Sequence, residues 1–230
     1  MWVFRLKQEQ KVSSSSYFLT LTYNEQNLPH TPCGRPTLYR RDHQLFMKRL
    51  RKREKGAKIK YYAVGEYGSS TERPHYHSII FNVQNVENIY KSWEMGHVRI
   101  DECNGATMAY VAKYVNKQTK FKDRNDPRTP EFSNMSRGLG LSYLTPQMKK
   151  YMKSHLNPWL TLEDGLKMPI PRYYKDKTFT DTEKNIIAEK GKTFTEQSDP
   201  FNGDFKLEHE WKKDQYRKRD KYATLKRAKL

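Results

Sequence analysis

Two pairs of side chains have the types and the spacing that metal-assisted chemistry requires. His75 and His77 flank Tyr76 at the start of an apolar stretch that predicts a strand. Successive side chains of a strand point to opposite faces, so both imidazoles project from one face and can share one ion. Tyr110 and Tyr114 lie one turn apart on a predicted helix, where residues i and i+4 are neighbours. Together the imidazoles and the phenols suit metal-assisted attack on a phosphodiester.

Two imidazoles leave a divalent ion short of ligands, and Glu66 is the best candidate for the third. It lies near the end of a predicted strand, 59–67, which a loop joins to the predicted strand 75–83 as an antiparallel hairpin. A mixed nitrogen and oxygen ligand set with open positions suits Mn²⁺ or Mg²⁺, although imidazoles also bind Zn²⁺, Co²⁺ or Ni²⁺. An isolated His-x-His pair is more often incidental than metal-binding, but the paired tyrosines downstream favour the metal site.

The tyrosine pair supplies the candidate nucleophiles. A phenol has a pKa of about 10, so it must lose its proton to attack well near neutral pH. Lys113 and Lys117 lie close to the tyrosines on the predicted helix, and their positive charge favours the phenolate. Two alternatives remain open: both tyrosines are helix surface residues without chemistry, or only one of them attacks.

The overall charge indicates an anionic polymer as partner. The chain has 230 residues and a net charge of +18, and a field of that size favours nucleic acid, although basic composition alone also serves solubility. Aromatic residues make up 13% of the chain, and they can stack on the exposed bases of a single strand. No apolar run is long enough for a transmembrane helix, and no signal peptide is recognisable at the N-terminus. Two cysteines provide neither a disulfide framework nor a cysteine-rich zinc site.

The order of the predicted elements favours an α+β fold, with a central antiparallel β-sheet flanked by helices. Further strands are predicted at 17–23 and 96–101. The predicted helices run from Thr37, as the cap, to about Glu54, from 106 to 118 after Asn104 as the cap, and over 146–159. We expect a catalytic domain over residues 1–170 and a basic, polar C-terminal tail with possible helices over 171–230.

Three basic features are candidate contacts for DNA. The stretch 40–53 is rich in Arg and Lys and is either a solvated helix face or a DNA contact. Arg137 lies in Ser136-Arg137-Gly138-Leu139-Gly140, where it can bind phosphate or simply belong to an ordinary turn. Arg73, immediately before the histidine strand, is the third candidate.

Three motifs in order resemble those of the HUH endonucleases: Phe18-Leu19-Thr20-Leu21-Thr22-Tyr23, then His75-Tyr76-His77, then the Tyr-x-x-Lys-Tyr-x-x-Lys run from Tyr110 to Lys117. More narrowly, they resemble the rolling-circle replication initiators of the Microviridae, the gokushovirus-like single-stranded DNA phages. The resemblance covers roughly residues 1 to 160. Each motif alone is a weak signal, but the three together in this order are a strong one.

The resemblance implies a nicking and joining enzyme that acts on single-stranded DNA at a phage origin. A tyrosine would become joined to the 5′ phosphate and release a 3′ hydroxyl for a polymerase, and two tyrosines would alternate between rounds. It also implies a carboxylate near the two histidines, a host replication helicase and polymerase as further partners, no membrane, and the host bacterial cytoplasm as the location. The competing hypotheses are a relaxase or transposase of the same superfamily, and a single-stranded DNA-binding module without catalysis.

Overall fold

The computed structural model describes residues 1–68, 70–113, 125–163, 165–197, 204, 206–214 and 217. The chain divides into two compact units, Met1–Thr145 and Pro146–Leu230. The predicted boundary between a catalytic domain and a tail, at residue 170, stays a prediction about function. All described residues of the candidate site lie in the first unit.

A five-stranded antiparallel sheet forms the centre of the first unit. Its strands, in chain order, are β1 Ser16–Tyr23, β2 Lys60–Tyr67, β3 Pro74–Phe81, β4 Gly96–Glu102 and β5 Phe132–Met135. They lie in the order β4-β1-β3-β2-β5, and every neighbouring pair is antiparallel. The predicted α+β class and the predicted hairpin of β2 and β3 are therefore confirmed.

Helices cover both faces of this sheet because each face has its own set of apolar side chains. On one face α2, Arg40–Arg53, and the short α3, Glu87–Tyr90, pack on alternate residues of β1 and β3 such as Leu19 and Ile80. On the other face α1, Trp2–Gln10, and α4, Gly105–Lys113, pack on residues such as Phe18 and Ile79. The second face also carries the side chains of Glu66, His75 and His77, since these alternate with the residues of the first.

The predicted helix starts are partly right. Asn104 caps α4 as expected, because its Oδ1 accepts hydrogen bonds from the backbone N–H groups of Ala106 and Thr107 at 3.0 and 3.1 Å. The described part of α4 ends at Lys113, and the predicted continuation to residue 118 lies outside the described residues. Thr37, however, does not cap α2, which begins at Arg40. Its hydroxyl instead accepts a hydrogen bond from the backbone N–H of Thr129.

Two elements of the first unit were not predicted, and distant contacts stabilise both. In α1 the buried Arg5 donates from Nε and Nη2 to the carbonyl of Leu139, and the buried Glu9 pairs with Lys60 at 2.7 Å. Strand β5 lies where the sequence predicts a turn, and it pairs with β2 from Phe132 to Met135. The glycine-rich turn follows it, with Gly138 and Gly140 at φ of 75° and 72°.

The second unit contains α5 Pro146–His155, the strand pair β6 Trp159–Thr161 and β7 Lys167–Pro169, and the helices α6 Arg172–Thr178 and α7 Asp181–Gln197. Its buried apolar side chains include Leu160, Ile170, Tyr174, Phe179 and Ile187. Three of these follow residue 170, so part of the predicted tail belongs to a packed unit. Among the described residues, no helix is both long enough and apolar enough to span a membrane.

Candidate metal centre and nucleophile

The hairpin of β2 and β3 brings the three predicted metal ligands together. Glu66 pairs with His75 in the register of the two strands, and Val64 pairs with His77. Cross-strand partners project on the same face of a sheet, so the carboxylate of Glu66 lies beside both imidazoles. One ligand atom from each of Glu66, His75 and His77 lies within 4.8 Å of the others.

A single carboxylate oxygen is the centre of this group. Glu66 Oε1 is 2.9 Å from His75 Nε2 and 3.0 Å from His77 Nε2. The Glu66 side chain is only 4% exposed, so its charge is costly unless positive groups or hydrogen bonds compensate it. Two imidazole nitrogens directed at one buried carboxylate form a possible site for a cation.

Hydrogen bonds at the far side of each ring set the orientation of the imidazoles. His75 Nδ1 is 3.1 Å from the carbonyl oxygen of Arg73, which can only accept, so Nδ1 carries the proton. His77 Nδ1 is 3.0 Å from the hydroxyl Oγ1 of Thr20. With the Nδ1 atoms engaged in this way, both Nε2 atoms face Glu66, which is the arrangement that a shared ion requires.

The pKa of His75 reflects these contacts. Burial lowers the pKa of this imidazole, but the hydrogen bonds to Glu66 and to the Arg73 carbonyl outweigh burial, so the pKa is raised above its ordinary value. Without a metal ion, an imidazolium at His75 therefore compensates the charge of Glu66. The site favours a positive charge beside this carboxylate.

The predicted nucleophile Tyr110 reaches the same carboxylate. Met108 and Val111 anchor α4 in the core, and this turns Tyr110 toward the sheet. Its hydroxyl donates a hydrogen bond to Glu66 Oε1 at 2.6 Å, and its ring lies edge-on to His77 with centroids 5.1 Å apart. One turn of helix and one hairpin thus bring a phenol and the ligand group into direct contact.

The other predicted site residues are placed as follows. Lys113 holds its Nζ 4.3 Å from the ring centroid of Tyr110, and this is a cation–π contact. Arg73 donates to Glu25 Oε1 at 2.7 Å and to the Tyr23 carbonyl at 2.9 Å. Arg137 is exposed in the turn after β5. Tyr114 and Lys117 lie outside the described residues.

Two neighbours of the site were not assigned a role from the sequence. The Phe18 ring stacks on the His77 ring, with centroids 5.3 Å apart and an interplanar angle of 10°. Thr20 provides the hydroxyl at His77 Nδ1, because Thr20 and His77 are partners in the β1–β3 register. The alternation of β1 places Phe18 and Thr20 on one face, and that pattern could have found them once the pairing of β1 with β3 was known.

The fold and the site can be compared with known proteins. Residues 16–119, from β1 to beyond α4, match the family model of the phage replication-associated protein ORF2. This segment belongs to that family. The matched region contains all the candidate metal ligands and both candidate tyrosines. The resemblance to phage replication proteins that the three motifs indicate is therefore confirmed.

The chain is also similar to three curated phage proteins. It is 29% identical over 196 residues to the replication-associated protein ORF2 of Spiroplasma virus 4, covering 75% of this chain and 61% of that protein. It is 27% identical over 198 residues to the replication-associated protein VP4 of Bdellovibrio phage phiMH2K, covering 75% and 60%. It is 28% identical over 202 residues to the replication-associated protein ORF4 of Chlamydia phage 1, covering 73% and 47%. The matched region thus spans about half to three fifths of these relatives, and no solved structure matches.

Proposed function

We propose that this protein initiates phage DNA replication by nicking single-stranded DNA and later rejoining the ends, with Tyr110 as an attacking nucleophile. The observation that carries the proposal is the contact between Tyr110 and Glu66, whose carboxylate oxygen also contacts both imidazoles. A nucleophile and a possible metal-binding group are thus held together at one point. Proximity of this kind is what a phosphoryl-transfer site requires.

Glu66, His75 and His77 fit a divalent ion. Each imidazole directs Nε2 at the carboxylate, and the hydrogen bonds at Nδ1 are those of the metal-binding tautomer. Three protein ligands leave positions open for phosphate oxygens and water, which favours Mn²⁺ or Mg²⁺. When bound, such an ion supplies a Lewis acid for a non-bridging phosphate oxygen.

Tyr110 would perform the covalent step. Its phenolic oxygen forms a bond to the phosphorus while the bond from phosphorus to the 3′ oxygen breaks, and that oxygen takes up a proton. The product is a 5′ phosphotyrosine and a free 3′ hydroxyl that a polymerase can extend. Glu66 Oε1 already accepts the hydrogen bond of the phenol, so it is the nearest acceptor for the phenolic proton. The ammonium of Lys113 favours negative charge on the phenol.

Tyr114 would be a second nucleophile, assisted by Lys117. It follows Tyr110 by four residues in the sequence. With two phenols, one tyrosine can hold the parental 5′ end while the other cuts the regenerated origin. The energy for rejoining remains stored in the phosphotyrosine bond.

The substrate would be the single-stranded phage origin, with a host helicase and polymerase acting on the products. The net charge of +18 supports a polyanionic partner, and Arg73 and Arg137 are proposed contacts to its phosphates. The similarity to replication-associated proteins supports this origin over the DNA of a relaxase or a transposase.

The decisive experiment is incubation of the protein with a randomised single-stranded library in Mn²⁺, followed by sequencing of the cleaved ends. We expect cleavage at one preferred sequence and a denaturant-resistant protein–DNA adduct. Tyr90→Phe, at an exposed tyrosine of α3, is the matched control for tyrosine variants and should behave as wild type. Binding without cleavage under every metal condition would instead indicate a DNA-binding module without catalysis.

A further inference from the structure

The outer surface of α2 and the turn after it carries positive charge almost exclusively. The exposed cations of this surface, called the α2 basic surface below, are Arg40, Arg41, Lys48, Arg51, Lys52, Arg53, Lys55 and Lys58. Between residues 39 and 58 the remaining exposed side chains are uncharged, namely Tyr39 and Gln44. This surface is an uninterrupted patch of one sign.

Both acidic residues of this stretch are turned inward and do not neutralise it. Asp42 is buried and its Oδ2 accepts a hydrogen bond from the Tyr23 hydroxyl at 2.7 Å. Glu54 is buried and accepts hydrogen bonds from the backbone N–H groups of Gln84 and Asn85 at 2.8 and 3.0 Å. Among the described residues, no carboxylate forms an ion pair with any cation of the α2 basic surface. The eight charges therefore face solvent without compensation.

The helix arranges part of this charge in a line. Arg41, Lys48 and Lys52 are separated by seven and four residues, which places them on one stripe of α2. At a rise of about 1.5 Å per residue the stripe is about 16 Å long. Duplex DNA carries one negative charge per about 1.7 Å of its axis, so a stripe of this length can follow several phosphates.

We propose that the α2 basic surface binds the phosphate backbone of double-stranded DNA. The apolar face of α2, with Phe46, Met47 and Leu50, is buried against the sheet, so α2 has no apolar face left for the lipid interface. Tyr39 is the one exposed aromatic residue between 39 and 58, whereas single-strand sites use rows of stacking aromatics. Cations without stacking partners suit a duplex backbone.

The position of the surface gives it a separate role. Helix α2 packs on the sheet face that carries Leu19 and Ile80, while Glu66, His75 and His77 project from the opposite face. DNA on the α2 basic surface is therefore not the stretch of strand at Tyr110. In terms of the proposed function, this surface would hold duplex DNA beside the nick, but duplex binding itself does not depend on cleavage.

The test is binding of a fluorescein-labelled 20-base-pair duplex of arbitrary sequence to the full chain in EDTA, followed by anisotropy at several NaCl concentrations. We expect Lys48→Gln/Lys52→Gln/Lys55→Gln to weaken binding at least 10-fold at 100 mM NaCl. The slope of log affinity against log salt should fall by about 0.9 for each phosphate that the variant no longer neutralises. Lys48→Arg/Lys52→Arg/Lys55→Arg keeps the charges and should bind like wild type.

The matched control is Lys149→Gln/Lys150→Gln/Lys153→Gln, which removes three exposed lysines from α5. We expect it to change duplex affinity less than two-fold. An equal loss in both Gln triples would overturn the proposal, because net charge alone would then account for binding. A loss confined to single strands, or to vesicles of anionic lipid, would overturn it as well. Because the buffer contains no divalent ion, these outcomes can be read whether or not the protein proves to cleave DNA.

Discussion

The hydroxyl Oγ1 of Thr20 lies 3.0 Å from Nδ1 of His77 and is the side-chain group that sets the orientation of this imidazole. The corresponding group at His75 is the backbone carbonyl of Arg73, which no substitution removes. In the metal-binding tautomer His77 Nδ1–H donates to Thr20, and Nε2 keeps its lone pair for the ion. Partners of this kind are worth about 10- to 100-fold in metal affinity.

Thr20→Val should therefore weaken Mn²⁺ binding about 10- to 100-fold, measured by isothermal titration without DNA. Thr20→Ser keeps the hydroxyl and should restore most of the affinity. Thr22→Val is the control, since Thr22 is the partner of His75 in the strand register and, among the described residues, its hydroxyl makes no hydrogen bond. Equal affinity for Thr20→Val and Thr22→Val would show that the hydroxyl does not position His77.

His75→Ala/His77→Ala should abolish metal binding and reduce cleavage by about 1000-fold or more, because a Lewis acid contributes several kcal/mol to such a step. Most DNA affinity should remain, since phosphate contacts from Lys and Arg supply it. Titration of Mn²⁺, a cleavage assay and an anisotropy assay measure the three quantities. The control replaces two exposed histidines, His97→Ala/His209→Ala. Full cleavage by the first double variant in the presence of a chelator would disprove the metal assignment.

The local sequence was sufficient to predict the ligand hairpin. His75 and His77 share a face by strand alternation, and Glu66 lies across a short connection whose register the structure confirms. The cap at Asn104 and the helix with Tyr110 were predicted for the same reason, because their signals lie within a few residues.

What the sequence could not predict depends on contacts between distant residues. Thr20 reaches His77 only because β1 pairs with β3 across 57 positions of the chain. Helix α1 has a weak apolar pattern, and the bond from Arg5 to Leu139 that anchors it spans 134 positions. Strand β5 has four residues and is stabilised by its pairing with β2. Tertiary pairing of this kind leaves little trace in local propensity.

His43 should make the stability of the fold depend on pH. It is buried on the α2 side of the sheet, with Nε2 3.0 Å from Ser78 Oγ, and burial lowers its pKa to about 4. Between that value and about 6.5 the unfolded chain binds a proton that the folded chain does not, so stability is lost as the pH falls through this window. From pH 7 to pH 5 the loss should be about 2 kcal/mol.

His43→Gln removes this titration and should lose about 2 kcal/mol less than wild type over the same interval, as measured by urea unfolding at both pH values. The contribution of His75, which has the opposite sign, is present in both proteins and cancels. His97→Gln, at an exposed histidine, should leave the pH dependence unchanged. Parallel pH profiles for wild type and His43→Gln would contradict the shifted pKa of His43.

The second unit should not be needed for cutting in vitro. The described site residues Glu66, His75, His77 and Tyr110 all lie before Thr145, where the first unit ends. A chain ending at Thr145 should therefore bind Mn²⁺ and form the DNA adduct at saturating substrate, although its affinity for DNA should be lower. A chain ending at Pro171 is the informative comparison, because that end falls inside the second unit. If the shorter chain folds by circular dichroism but forms no adduct, the second unit takes part in the site.

The two candidate tyrosines can be separated by single replacements. Tyr110→Phe removes the hydroxyl that contacts Glu66 and keeps the ring against His77 and Phe18. If both phenols can attack, Tyr110→Phe and Tyr114→Phe should each retain some cleavage and form an adduct through the remaining phenol, and the double variant should form none. Joining of two successive ends needs both phenols, so it should fail in either single variant. Mass spectrometry of the adduct peptide identifies the attacking residue, and an adduct found only on Tyr110, with full joining by Tyr114→Phe, would make this a single-tyrosine enzyme.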